Sequence, residues 1–210
     1  TCPRWRRARH NGLVVHETKA LDGVDIAEVE GIPVTTPERT LLDLGAVRHT
    51  SVVEMALDKA ENHGLVTGAS LQATLNRLAK SGRNGAGTLR CLLERHDQRR
   101  RPPESEMETM LIQCLRRNGW PEPVPQHVIR QAGAFVARVD AAYPQWRIAI
   151  EYDSDEHHGG HTARYRDHER RLRVIAAGWF PVEALLPDVR SGGTKLCAAL
   201  QSARNRFGVT

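Results

Sequence analysis

Arg147-Ile148-Ala149-Ile150-Glu151-Tyr152-Asp153 sets an unbroken aliphatic run directly against two carboxylates. A strand with one wet face alternates apolar and polar residues. The Ile-Ala-Ile run does not, which predicts a strand covered on both faces and central in its sheet. Glu151 and Asp153 are two residues apart, so on a strand they share a face at its end. Upstream, Ser105–Asn118 reads as a helix with Met107, Met110, Leu111, Cys114 and Leu115 as its stripe and Gly119 past its end. Two strands follow it: Val124–Arg130, and Phe135–Asp140 with Phe135, Ala137 and Val139 facing one way and Asp140 at its end. Downstream, Thr162 reads as the cap of a helix to Ala177, stopped by Gly178. Trp179–Leu185 reads as a strand that tolerates Pro181 only near an edge or bulge, and Thr194–Arg206 as a closing helix. Helix, three strands, helix, strand, helix is an α/β order. The helix before the last strand implies a crossover, with the strands it joins parallel or separated neighbours.

The best boundary is Arg99-Arg100-Arg101-Pro102-Pro103, because two successive prolines let no helix run through. It divides the chain into residues 1–103, a small, mostly helical module, and residues 104–210, the α/β part. In the module, Gly12–His16 and Asp25–Val34 read as short strands and Thr36-Pro37 as a helix start. The run Arg39–Ala46 and the stretches Val52–Asn62, Ser70–Ala79 and Thr88–His96 read as helices. Nothing in this module assembles a catalytic group, so it reads as a scaffold or binding module.

The chain has 210 residues and a formal charge of +5, with 16 cations to 12 carboxylates before Glu104 and 14 to 13 from there on. Of its 30 cations, 26 are arginine and 4 lysine, a choice that suits paired bonds to phosphate oxygens and stacking on bases. At 40% hydrophobic it can build a core, which excludes wholesale disorder. No apolar run approaches the ~20 residues of a membrane span, and no positive-then-apolar leader opens the chain. The four cysteines, Cys2, Cys91, Cys114 and Cys197, form no C-x-x-C pair, so the expected compartment is a reducing cytoplasm. A start at Thr1 rather than methionine leads us to expect sequence upstream.

Asp140, Glu151 and Asp153 at neighbouring strand ends, with Glu108 from the helix, form an all-oxygen set suited to a hard divalent cation such as Mg2+. Like charges this close repel unless a cation joins them. Arg164, Arg166, Arg170 and Arg173 recur on one helix, and Arg99, Arg100 and Arg101 mark the junction, as expected of cations that clamp phosphates. The bland alternative for the helix is a solvated, ion-paired face in which Asp167 meets Arg170 or Arg171. A zinc site from His157, His158 and His161 is disfavoured, since adjacent histidines diverge and no cysteine is near.

Residues 104–190 resemble the PD-(D/E)XK nuclease superfamily, in the branch related to very-short-patch-repair endonucleases. The likeness rests on Ser105-Glu106-Met107-Glu108, Val139-Asp140, Ile148 to Asp153 followed by His157, and Asp167–Arg170 leading to Gly178-Trp179. It implies a restriction-endonuclease-like αβββαβ core. It also implies metal-dependent hydrolysis of DNA, with Mg2+ (or Mn2+ in its place) on Asp140, Glu151 and the carbonyl of Tyr152. Glu108 and Asp153 would complete the acidic cluster, and His157 would assist proton transfer. The branch departs here in three places: Asp153 stands where the superfamily has its lysine, Ser154 for glycine and Glu183 for arginine. The first module resembles the AbiEi-type antitoxins through Gly31-Ile32-Pro33-Val34-Thr35-Thr36-Pro37-Glu38-Arg39-Thr40-Leu41-Leu42-Asp43-Leu44. With the arginine content and the lack of an apolar span, the two likenesses lead us to expect DNA as a partner, a homodimer, a toxin partner or regulatory locus, and no membrane. The competing expectation is a non-catalytic DNA-binding regulator that keeps a nuclease fold.

Overall fold

The computed structural model describes residues 1–3, 12, 14–79, 83–97, 105–153 and 161–207. In chain order the elements are β1 (Cys2–Pro3), β2 (Glu17–Thr18), β3 (Ile26–Val29), β4 (Ile32–Thr35), α1 (Pro37–Val47), α2 (Thr50–Asn62), α3 (Gly68–Leu78) and α4 (Ala86–Asp97). They continue as α5 (Glu106–Arg117), β5 (Val124–Gln131), β6 (Ala134–Tyr143), β7 (Ile148–Asp153), α6 (His161–Ala176), β8 (Phe180–Leu185), α7 (Leu186–Arg190) and α8 (Thr194–Phe207). The fold is α/β, a mostly helical first part followed by a mixed sheet. No helix among the described residues is long and apolar enough to cross a membrane.

The sheet runs β5-β6-β7-β8, antiparallel except that β7 and β8, joined by the α6 crossover, are parallel. Ile148, Ala149 and Ile150 are fully buried, as a strand covered on both faces requires. Ile148 and Ile150 pack with Leu111 and Leu115 of α5 and Leu196 and Leu200 of α8. Ala149 faces the other way, with Val174 of α6, Val139 and Ala142. Pro181 sits on β8, an edge strand, where its missing donor interrupts no inner ladder.

Several expectations need correction. Asp140 does not end its strand: β6 continues through Ala141, Ala142 and Tyr143, which pair with Ile150, Ala149 and Ile148. Phe135 is 63% exposed rather than sharing the buried face of Ala137 and Val139, because the register slips between Ile129 and Arg130. Thr162 lies within α6, which starts at His161, and Leu186–Arg190 is a helix that the sequence reading lacked. The stretch Gly12–His16 forms no strand among its described residues; pairing is limited to Glu17–Thr18 with Cys2–Pro3. Asp25–Val34 is not one strand but a hairpin, turned by Glu30 and Gly31 at φ 52° and 78°. Two successive positive φ values match the right-handed twist of paired strands.

In the first part, Thr36 caps α1 by accepting from the Arg39 N–H, with Pro37 in the first helical position. The apolar residues of α1 to α4 make one core, from Leu41 and Leu42 to Leu92 and Leu93. Beside it Arg39, fully buried, donates to Asp25 at 3.1 Å, Asp43 at 3.0 Å, the Ala20 carbonyl at 2.6 Å and Thr18 at 3.1 Å. Burial alone would raise the Asp25 carboxyl, but Arg77, the Asp22 backbone and Arg39 outweigh it and hold the pKa below the usual range. The motif around Arg39 and Asp43 is therefore occupied in holding the hairpin to α1.

The two parts meet along α2 and α5. Glu54, 1% exposed, accepts from Arg116 at 2.9 and 3.0 Å and from Gln113 at 3.1 Å. One turn on, Asp58 accepts from the Thr109 hydroxyl at 2.8 Å. Among the described residues no buried apolar cluster spans the junction: one is built from residues of α1 to α4 and the loop Val66, the others from Ile129 and Leu111 onward.

Gly85 shows how closely α1 and α4 approach. A Cβ there would lie 2.2 Å from the Leu42 carbonyl oxygen and 2.8 Å from the Ala46 nitrogen, at φ +88°. Gly64 has a similar φ, +66°, but open space. We expect Gly85→Ala to cost about 3 kcal/mol or more in urea denaturation and Gly64→Ala about 1 kcal/mol. Equal losses would show that backbone strain alone, and not the helix contact, governs both.

Candidate functional site

The antiparallel β6–β7 pairing carries Ala141 opposite Ile150, so one step further Asp140 stands level with Glu151. Asp140 Oδ2 accepts the Tyr152 backbone N–H at 2.8 Å, which fixes the Asp140 carboxylate against the end of β7. Glu151 follows Ala149 on the α6 side of the sheet, and its Oε2 accepts from Arg170 of α6 at 3.0 Å. The other oxygen, Glu151 Oε1, is buried with no hydrogen-bond partner among the described residues. A buried carboxylate oxygen left unsatisfied costs free energy, and at a strand end beside a second carboxylate it invites a cation. The donor chemistry, carboxylate oxygens, fits Mg2+ or Mn2+.

Burial raises the Glu151 pKa; Arg170 opposes this and the neighbouring Asp140 adds to it. Of the four carboxylates expected to converge, Asp140 and Glu151 are brought level with each other. Glu108 is held elsewhere: its Oε2 accepts from Gln126 at 2.8 Å and its Oε1 from the Ser105 hydroxyl at 3.2 Å. Among the described residues, Glu108, Asp140 and Glu151 do not place three ligand atoms within 4.8 Å of one another. Gln126 itself adopts φ +47°, unusual for a buried side-chain-bearing residue, between Pro125, paired with Ala141, and His127, paired with Val139. Asp153 ends β7, though its side chain, like that of Arg164, lies outside the described set. His157, Arg99, Arg100 and Arg101 lie outside the described residues altogether.

On α6, Arg166 and Arg173 are exposed and Arg170 is half-exposed. Arg170 also stands 3.8 Å from Asp167, and Arg171 pairs with Glu183 on β8. Part of the basic face is therefore ion-paired, while Arg166 and Arg173 remain presented to solvent.

One cluster escaped sequence reasoning. His96 of α4 lies between Asp58 (Nε2 to Oδ1, 3.2 Å) and Glu61 (Nδ1 to Oε2, 3.0 Å) of α2. Three ligand atoms of this group lie within 4.8 Å of one another. Both imidazole nitrogens already face carboxylates and Asp58 also takes Thr109, so a metal there would have to displace bonds already made. We read it as a hydrogen-bonded clasp. The prior signal was Asp58 and Glu61 three residues apart, and so on one face of α2.

The Glu151 pKa sets a sign. A carboxyl whose pKa is raised on folding binds its proton better in the folded chain, so stability falls as pH climbs from the ordinary 4.5 through the folded value. The neutral amide escapes that loss, and Arg170, 38% exposed, can be resolvated. In EDTA, Glu151→Gln should melt above wild type at about pH 7.5, the gap closing below the ordinary value. A variant that melts lower at neutral pH would mean that Glu151 is a structural ion-pair partner.

No protein-family profile matches the chain, and no solved structure does. Two curated proteins of Mycobacterium tuberculosis do: "Uncharacterized protein MT2308" of strain CDC 1551 / Oshkosh and "Uncharacterized protein Rv2248" of strain ATCC 25618 / H37Rv. Each is 30% identical over 190 residues, spanning 90% of this chain and 67% of the relative. A match that covers both the helical part and the sheet, at that identity, places the chain in the family of these two mycobacterial proteins.

Proposed function

We propose that the chain is a metal-dependent DNA endonuclease. The observation that carries the reading is the Asp140–Glu151 pair just past the fully buried run Ile148 to Ile150, with one carboxylate oxygen buried and without a partner among the described residues. The order α5, β5, β6, β7, α6, β8 supports it, since it is the αβββαβ succession of the resemblance drawn from the sequence. Asp140, Glu151 and the Tyr152 carbonyl are the groups that would hold Mg2+ or Mn2+. Bound there, the cation would polarise the phosphoryl group and lower the pKa of the attacking water. The Tyr152 N–H fixes Asp140, and Ile148 to Ile150 keep water from the sheet beneath. Arg166 and Arg173, exposed on α6, would draw in the phosphate backbone. Glu108, Asp153 and His157 are assigned supporting roles in this reading: Glu108 through its bond to Gln126, Asp153 by continuing β7, His157 as the proton carrier.

A second reading, a DNA-binding regulator of antitoxin type without catalysis, draws on one observation: β7 carries Asp153 and no lysine. The two differ in what the metal does. The test incubates supercoiled plasmid with Mg2+ or Mn2+, beside Asp140→Asn, which removes charge while keeping an acceptor for the Tyr152 N–H. The nuclease reading expects nicking that EDTA stops and that Asp140→Asn lowers about 100-fold or more, with DNA affinity retained. No nicking, with equal DNA binding in EDTA and in Mg2+, would establish the regulator instead. DNA affinity itself should fall with salt at a slope of about −0.9 per phosphate contact, measured by fluorescence anisotropy; a flat response would refute phosphate-led binding.

A further inference from the structure

Two carboxylates at the end of β7 need a cation in the metal-free chain as much as in the loaded one. Asp140 and Glu151 repel each other, and among the described residues the buried Glu151 Oε1 has no hydrogen-bond partner to offset that repulsion. Lysine is missing from β7, and among the described residues the cation hydrogen-bonded to Glu151 comes instead from the crossover helix. Arg170 donates to Glu151 Oε2 at 3.0 Å and has a weaker second anchor in Asp167 at 3.8 Å. Its next neighbour, Arg171, is committed to Glu183 and so is not free to take its place. The Arg170 side chain is 38% exposed and Glu151 21%, so the guanidinium can leave the pair for solvent without opening the core.

We infer that Arg170 is an exchangeable internal counter-ion: it neutralises Glu151 while no divalent cation is bound, and on metal binding it releases the carboxylate and turns to a DNA phosphate oxygen. This rests on the metal-centre reading and names the group that performs the cationic task left vacant on β7. A guanidinium suits the exchange because its fork bonds a carboxylate and a phosphate oxygen with the same geometry, and it keeps its charge throughout. No covalent bond changes; one ion pair is traded for another. Metal and arginine then compete for one carboxylate, so removing the arginine must affect metal affinity and DNA cleavage in opposite directions. A merely structural arginine would move neither Mn2+ affinity nor cleavage, or would weaken both through loss of fold.

Calorimetric titration of the full chain with Mn2+, at fixed pH and ionic strength, reads the first effect. Arg170→Ala and Arg170→Gln are each expected to bind Mn2+ about 5-fold tighter than wild type, with Arg170→Lys between. Plasmid nicking by the same two variants should fall about 10-fold or more at saturating Mn2+. Arg171→Ala, which breaks the Glu183 pair and removes a charge that acts on Glu151 more weakly than Arg170 and without a hydrogen bond to it, serves as the control and should leave Mn2+ affinity within about 2-fold. Thermal melts accompany each titration, and the glutamine variant replaces the alanine one if the latter melts early. Mn2+ affinity unchanged or weakened in folded Arg170→Gln, with wild type binding normally, overturns the counter-ion exchange alone. Absence of Mn2+ binding by wild type and variants alike overturns the metal-centre reading and the exchange with it.

Discussion

A strand buried on both faces can carry charge only where it ends. Ile148 to Ile150 are sealed by α5 and α8 on one side and α6 on the other, so β7 carries its first charged side chain at Glu151, one step past the seal. The antiparallel neighbour β6 is bound by the same ladder, which brings Asp140 to that level and no other. The position of the two carboxylates is thus a consequence of packing: move the apolar run by one residue and the acid would face the opposite helix layer. The crossover that makes β7 and β8 parallel also lays α6 over this end, and with it Arg170.

The first part of the chain is held on different terms. Its four-helix core is apolar, but its hairpin is tied to it through a buried arginine whose guanidinium meets two carboxylates, a hydroxyl and a carbonyl. Every donor direction used there has an acceptor, which is the condition for tolerating such a charge out of water. Arg39 and Asp43, the most distinctive polar pair of the first module's motif, are consumed by this task.

Much of this was legible in the sequence because the elements are long and strongly patterned. The unbroken Ile148–Ile150 run, the apolar stripe of α5 and the stop of α6 at Gly178 are each local signals, and the α/β order followed from them. What stayed hidden depended on partners distant in sequence or on single backbone angles. Nothing local distinguishes Glu30 from any other glutamate, yet its left-handed conformation splits one expected strand into two. Asp140 looked terminal because a carboxylate usually ends a strand; here three more apolar residues follow it into the ladder. The Glu54–Arg116 and Asp58–His96 contacts join residues tens of positions apart, which no local pattern reports. Of the candidate site, Asp140 and Glu151 were readable from strand pattern, whereas the detour of Glu108 to Gln126 needed coordinates.

The seam between α2 and α5 bears on how such a chain is put together over evolutionary time. Each side of it is already hydrophilic: Glu54 and Asp58 on one helix, Thr109, Gln113 and Arg116 on the other. Parting the two would expose ions and amides, which water accepts readily, and would leave both apolar cores closed, since neither crosses the seam among the described residues. Fusion and fission of the coding sequence at this joint are therefore gentle operations. A seam of leucines would demand permanent contact between the two sides; this one is held by directional polar bonds whose groups water can also satisfy.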